Sequence, residues 1–105
     1  MRERNYQARL IRVLKQEFPG VIILKNDPNY RQGVPDLLLL YMDKWAALEV
    51  KGDADASVRP NQKYYVNKMH DMSFASFIYP ENEEEVLNAL QRTFRTARPA
   101  RVSEP

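Results

Sequence analysis

Residues 33 to 52 read "GVPDLLLLYMDKWAALEVKG". Four consecutive leucines, Leu37 to Leu40, mark a segment withdrawn from water, and a second apolar run follows from Trp45 to Val50. Each is too short for a buried helix and of ordinary length for a strand. With Asp43-Lys44 between them, the two runs predict a β-hairpin, although that dipeptide is not one of the favoured turn pairs. Charged residues stand at the ends of these runs: Asp36 before the first, Glu49 and Lys51 around Val50 in the second. Burying charge is costly unless something compensates it.

Pairing geometry suggests what compensates. A hairpin centred on Asp43-Lys44 sets Leu38 opposite Glu49 and Asp36 opposite Lys51. Cross-strand partners share a face, and so do residues two apart. Asp36, Glu49 and Lys51 therefore converge on one side of one end of the hairpin. Widening the loop symmetrically keeps this parity, whereas a one-residue bulge destroys it. Two adjacent carboxylates repel unless a cation lies between them. Oxygen ligands from Asp36, Glu49 and the carbonyl of Val50 suit a hard ion, Mg²⁺ or Mn²⁺. Lys51 beside that ion would hold a water or stabilise charge growing on phosphorus. The expected chemistry is metal-assisted hydrolysis of a phosphodiester.

Working outward, Tyr6, Leu10, Val13, Leu14 and Phe18 recur at helical spacing, so residues 3–18 form an amphipathic helix ended by Pro19-Gly20. "VIILK", residues 21–25, reads as a short buried strand, and "NDPNYRQGVP" as a loop. After the hairpin, "GDADASVR" is polar, Pro60 opens a helix reaching about Met72, and "SFASFIY" is a fourth strand. A last helix, "ENEEEVLNALQRTF", carries acids at its start, where the macrodipole favours them. The expected order is α-β-β-β-α-β-α, a mixed four-stranded sheet flanked by helices.

The 105 residues suffice for one domain, placed at 1–93, followed by a basic and flexible tail at 94–105. From Arg92 onward four arginines face the single acid Glu104; the tail is either a frayed terminus or a phosphate contact. There is no cysteine, which excludes disulfides and thiolate zinc sites and fits a reducing cytoplasm. No apolar run approaches the length of a membrane span, and no signal-peptide pattern opens the chain.

"Val34-Pro35-Asp36 … Glu49-Val50-Lys51" resembles the signature of the PD-(D/E)XK nuclease superfamily. Three further stretches resemble its small VRR-NUC branch, in the stand-alone phage and bacterial form. They are "Glu3-Arg4-Asn5-Tyr6-Gln7", "Lys25-Asn26 … Gly33-Val34-Pro35-Asp36" and "Arg59-Pro60-Asn61-Gln62". The likeness covers roughly residues 3 to 90. It implies a restriction-endonuclease-like core in which Asp36, Glu49 and the Val50 carbonyl bind Mg²⁺ or Mn²⁺. Lys51 becomes the catalytic lysine, Glu3 a further ligand directly or through water, and Gln62 a group orienting water, phosphate or a neighbouring ligand. It also implies a homodimer that resolves four-way (Holliday) junctions in DNA, in the cytoplasm of a bacterial host or phage-infected cell. The chain departs from the pattern at Val66, where some relatives carry tyrosine, Tyr65 falling one residue early. Asp53 and Asp55 stand where relatives often have basic or glycine-rich residues, and "HDMSF" lacks a glycine before the last strand.

Each residue also has a plainer reading. Glu3 is equally suited to a helix N-terminus. Lys25, Arg31 and Arg59 flank the proposed site, as DNA contacts or as ordinary surface charge. His70 reads as a surface histidine before a general base. Tyr64, Tyr65, Phe74, Phe77 and Tyr79 read as core or dimer contacts before base-stacking platforms. The competing functions are a catalytically silent nucleic-acid-binding module, a nuclease for flap, nicked or linear DNA, and a scaffold whose charged strand ends only keep it soluble.

Overall fold

A computed structural model describes residues 2–95. Helix α1 (Glu3–Glu17) turns Tyr6, Leu10 and Leu14 inward and is followed by strand β1 (Ile22–Lys25). Strands β2 (Leu37–Tyr41) and β3 (Lys44–Val50) form the hairpin. Helix α2 (Pro60–Met72), strand β4 (Phe74–Ile78), a single 3-10 turn at Pro80–Asn82 and helix α3 (Glu83–Arg95) complete the order. The expected sequence of elements is present, with ends moved by a residue or two. α3 runs to Arg95 and carries Phe94 into the core at 7% exposure, past the expected boundary at 93. The tail beyond Arg95 lies outside the described residues. Among these residues no helix is long and apolar enough to cross a membrane.

The sheet is mixed, in the order β1-β2-β3-β4. β1 and β3 each pair antiparallel with β2, and β4 pairs parallel with β3. A parallel neighbour requires a long crossover, which α2 provides.

The hairpin turns one residue earlier than its sequence suggests. Tyr41 pairs with Lys44, so the loop is Met42-Asp43, and Met42 takes a left-handed φ of 57°. Moving the turn by one residue moves the register by two, so the faces stay the same. Leu37 lies opposite Leu48, and Asp36 is thereby aligned with Glu49 instead of Lys51.

Leu37, Leu39, Ala46, Leu48 and Val50 point to one side of the sheet and join Tyr6, Leu10, Leu14, Val86, Leu90 and Phe94 in the main core. At one end of it Phe18, Tyr41 and Phe94 pack ring to ring, with centroids 5.1 to 5.5 Å apart. Such pairs contribute about 0.5–1.5 kcal/mol each beyond their burial. Tyr6, fully buried, donates to Glu83 at 2.8 Å and ties α1 to α3. The other side of the sheet is covered by α2, whose Val66 meets Ala47 and Ala75. That cover lies over β3 and β4. β1 is therefore not the buried strand its composition suggests: as an edge strand it leaves Ile22 and Leu24 exposed at 56% and 47%.

Candidate active site

The ladder ends of β2 and β3 meet at the N-terminus of α2, where the proposed residues gather. Asp36 is held twice. Its main-chain carbonyl accepts from Asn26 N–H at 2.8 Å, and its Oδ2 accepts from Val50 N–H at 2.9 Å. Glu49 sits one residue before Val50 on the α2 side and is only 3% exposed; Lys51 is 8% exposed. The Lys51 N–H donates to the carbonyl of Ile78 at 2.9 Å, which fixes the strand end carrying both side chains.

Gln62 organises the pair. Its Oε1 accepts from Lys51 Nζ at 2.9 Å, and its Nε2 donates to Glu49 Oε2 at 3.2 Å. The same Oε1 accepts from the Arg59 N–H at 3.0 Å, so the side chain also caps the helix that presents it. Lys51 Nζ stands 3.9 Å from Glu49 Oε2, with both side chains withdrawn from water. The carboxyl of Glu49 is raised to about 8, first by burial and next by the charge of Asp36, with Lys51 opposing and a hydrogen bond to Asp36 adding to the rise. Glu3, at the start of α1, is also raised, by burial and then by Asp36, with Lys51 lowering it. The first helix thus brings its acid within electrostatic reach of the other two.

The loop between β1 and β2 is fastened to α2 beside this cluster. Gly33 has φ +89°, and a Cβ built there would lie 2.7 Å from Asn61 Cγ, so only glycine fits against that side chain. Arg31 Nη1 donates to the Tyr65 hydroxyl at 3.4 Å. A cavity of about 160 Å³ opens between loop and helix, lined by Asn26, Gln32, Asp36, Glu49, Arg59 and Gln62 among others.

The structure therefore brings Asp36, Glu49, Lys51 and Gln62 together, with Arg59 on the cavity wall. Arg31 lies on the fastened loop, and Lys25 is exposed at the end of β1. His70 is an exposed histidine whose Nδ1 accepts from Ala75 N–H at 3.2 Å, beyond the residues gathered around Gln62. Asn26, Asn61 and Tyr65 position the site and were not singled out for that role by the sequence. A signal was present for one of them, since a glycine two residues before Pro35 marks a backbone needing special freedom.

Two carboxylates crowded in one corner, Glu49 raised by burial and then by Asp36, suit a hard divalent cation. Among the described residues no group of three or more His, Cys, Asp or Glu side chains is placed to hold a metal ion, so Asp36, Glu49 and Glu3 do not close into a three-carboxylate cage. Any side-chain ligation of such an ion would therefore rest on two carboxylates, with the main chain and water completing it. No protein-family model, curated protein or solved structure matches this chain.

Proposed function

We propose that this chain is a divalent-metal-dependent endodeoxyribonuclease of the PD-(D/E)XK type, with a restriction-endonuclease-like core similar to the VRR-NUC branch. Its substrate is branched DNA, foremost the four-way junction, cut by a homodimer in a bacterial or phage-infected cytoplasm. The observation that carries the reading is the Gln62 bridge. One carboxamide holds a buried lysine at 2.9 Å and a buried glutamate at 3.2 Å, directly beside Asp36. A charged strand end serving only solubility has no need of such a brace.

Asp36, Glu49 and the Val50 carbonyl would hold Mg²⁺ or Mn²⁺, with Glu3 acting through water. A bound ion of this kind polarises the phosphoryl oxygen and lowers the pKa of its water. Lys51, kept in place by Gln62, presents its ammonium where charge grows on the phosphate in the transition state. Val50 N–H keeps Asp36 turned toward the cluster. Arg59 on the cavity wall offers positive charge to a phosphate there, and Arg31 on the loop and Lys25 at the end of β1 are further candidate phosphate contacts.

The test is incubation of labelled four-way junction and matched linear duplex with Mg²⁺, Mn²⁺ or EDTA, alongside Lys51→Ala. Paired, metal-dependent cuts near the branch point, reduced at least a hundredfold in the variant, are expected. Equal cutting of the duplex would keep the site and replace the substrate. Binding without cutting in every metal would favour the silent module. Mn²⁺ at a hundredfold excess over its dissociation constant should also raise folding stability by about 2.7 kcal/mol. A scaffold protein would show no such response.

A further inference from the structure

The loop between β1 and β2 holds one aromatic ring out in water. Tyr30 is 84% exposed, the highest value among the large apolar and aromatic side chains of the described residues, so the core does not depend on it. The main chain beneath it is nonetheless fixed. Asp27 Oδ1 accepts from the Asn29 N–H at 2.9 Å, and the Asp27 carbonyl accepts from the Tyr30 and Arg31 N–H groups at 3.0 and 3.3 Å. Asn26 Nδ2 donates to the Arg31 carbonyl at 3.2 Å, and the Arg31 side chain is tied to Tyr65 of α2. A ring presented on a fastened turn costs little main-chain freedom when a ligand stacks on it.

Its neighbours set that ring beside the proposed site. Pro28 and Gln32, two residues to either side of Tyr30, line the same cavity as Asp36, Glu49 and Gln62. Tyr30 therefore stands at the rim of the cavity proposed to hold the scissile phosphate. Charge also favours this flank of α2. From Lys25 to Gly33 the only acid is Asp27, against Lys25 and Arg31, and Arg59 adds a third cation on the cavity wall. On the opposite flank Asp53, Asp55, Asp71 and Glu81 are all exposed. There Glu81 Oε2 accepts from the Ala54 N–H at 3.3 Å, and Ala54, Lys63 and Asp71 line one open groove. Phosphates are drawn to the first flank and repelled from the second.

We infer that Tyr30 stacks on a base face laid bare at a DNA branch point, and that this contact is how the chain tells branched DNA from continuous duplex. Within a continuous duplex both faces of every base are covered by its neighbours, so a protein ring finds none to stack on. A branch point interrupts that stacking and exposes base faces close to the phosphate to be cut. Every base has such a face, so the contact selects structure and not sequence. This deepens the nuclease reading and rests on it for the place of the cut, but it is tested by binding alone.

Fluorescence anisotropy in EDTA decides it, using a labelled four-way junction, a fork with unpaired arms and a linear duplex of matched sequence. Wild type should bind both branched DNAs about tenfold or more tighter than the duplex. Tyr30→Ala should lose most of that preference and leave duplex affinity unchanged, whereas Tyr30→Phe should keep it. Tyr64→Ala, the same change at an α2 aromatic that is 57% exposed, should leave the preference intact. Tyr30→Trp gives a direct reading over the background of Trp45, the one native tryptophan. Its fluorescence should be quenched by the branched DNAs and not by the duplex. The inference is overturned by a wild type that binds none of the three, or all equally. A preference that survives Tyr30→Ala, a loss that Tyr64→Ala shares, or a tryptophan signal indifferent to branching overturns it as well. Preferential binding without cutting in any metal defeats only the nuclease reading. Metal-dependent cutting with the preference intact in Tyr30→Ala defeats only this inference.

Discussion

Near neutral pH the Glu49 carboxyl of the metal-free protein is held mostly protonated, because burial and Asp36 raise it to about 8. In the unfolded chain it ionises in the ordinary carboxylate range. Between those two values the folded state binds more protons than the unfolded state, so stability from this group falls as pH rises. The contribution is complete below the unfolded value and is lost as pH climbs through about 8. Glu49→Gln cannot ionise, and it keeps an oxygen to accept from Gln62. In EDTA, the advantage of this variant over wild type should therefore grow from pH 5.5 to pH 8.5, read as urea midpoints. Parallel curves would mean that Glu49 titrates normally. The same residue was recognisable in the sequence, because its parity with Asp36 follows from strand geometry alone. Its depth of burial was not, since that depends on α2 closing over it.

Among the elements, the loop that delivers Asp36 rests on a glycine that no other residue replaces without strain. Gly33→Ala would add a methyl against Asn61 and place a side chain at φ +89°. Strain of this kind costs about 1–3 kcal/mol, so a drop of that size in unfolding free energy is expected; on the nuclease reading, cleavage should fall further as Asp36 shifts. Adding Asn61→Ala should return part of the loss, since it relieves the contact but not the dihedral. No recovery would place the whole cost in the backbone. The neighbouring hairpin shows where sequence reading stops. Asp43-Lys44 looked like the turn, but the residue at positive φ is Met42, a type that rarely adopts it. The turn is imposed by the register of the leucines against the core, not by turn chemistry. The face assignment survived because the displacement was even in register.

At the scale of the molecule, three elements converge in α3's Phe94, which touches Phe18 from the end of α1 and Tyr41 from β2. Phe94→Ala removes two of three ring contacts in the core and should cost about 3–5 kcal/mol, measured by denaturant unfolding. A loss below 1 kcal/mol would mean that α3 frays before its last turn. The sequence suggested the order of elements through its periodicities, and the mixed sheet followed from the long crossover after the hairpin. It misjudged the environment of β1, because "VIIL" carries the composition of a buried strand whether or not a layer covers it. Only the order of strands across the sheet decides that.

Asp36, Glu49, Lys51 and Gln62 all fall within one unbroken stretch of chain, from the start of β2 to the first turn of α2. Both hydrogen bonds of the Gln62 carboxamide to the strand-borne charges close inside it. Apart from Glu3, the proposed constellation is therefore carried by a single stretch of sequence. Recombination that moved this segment onto another helical support would carry these four residues together, and the new support would have to cover its apolar back and supply an acid in place of Glu3.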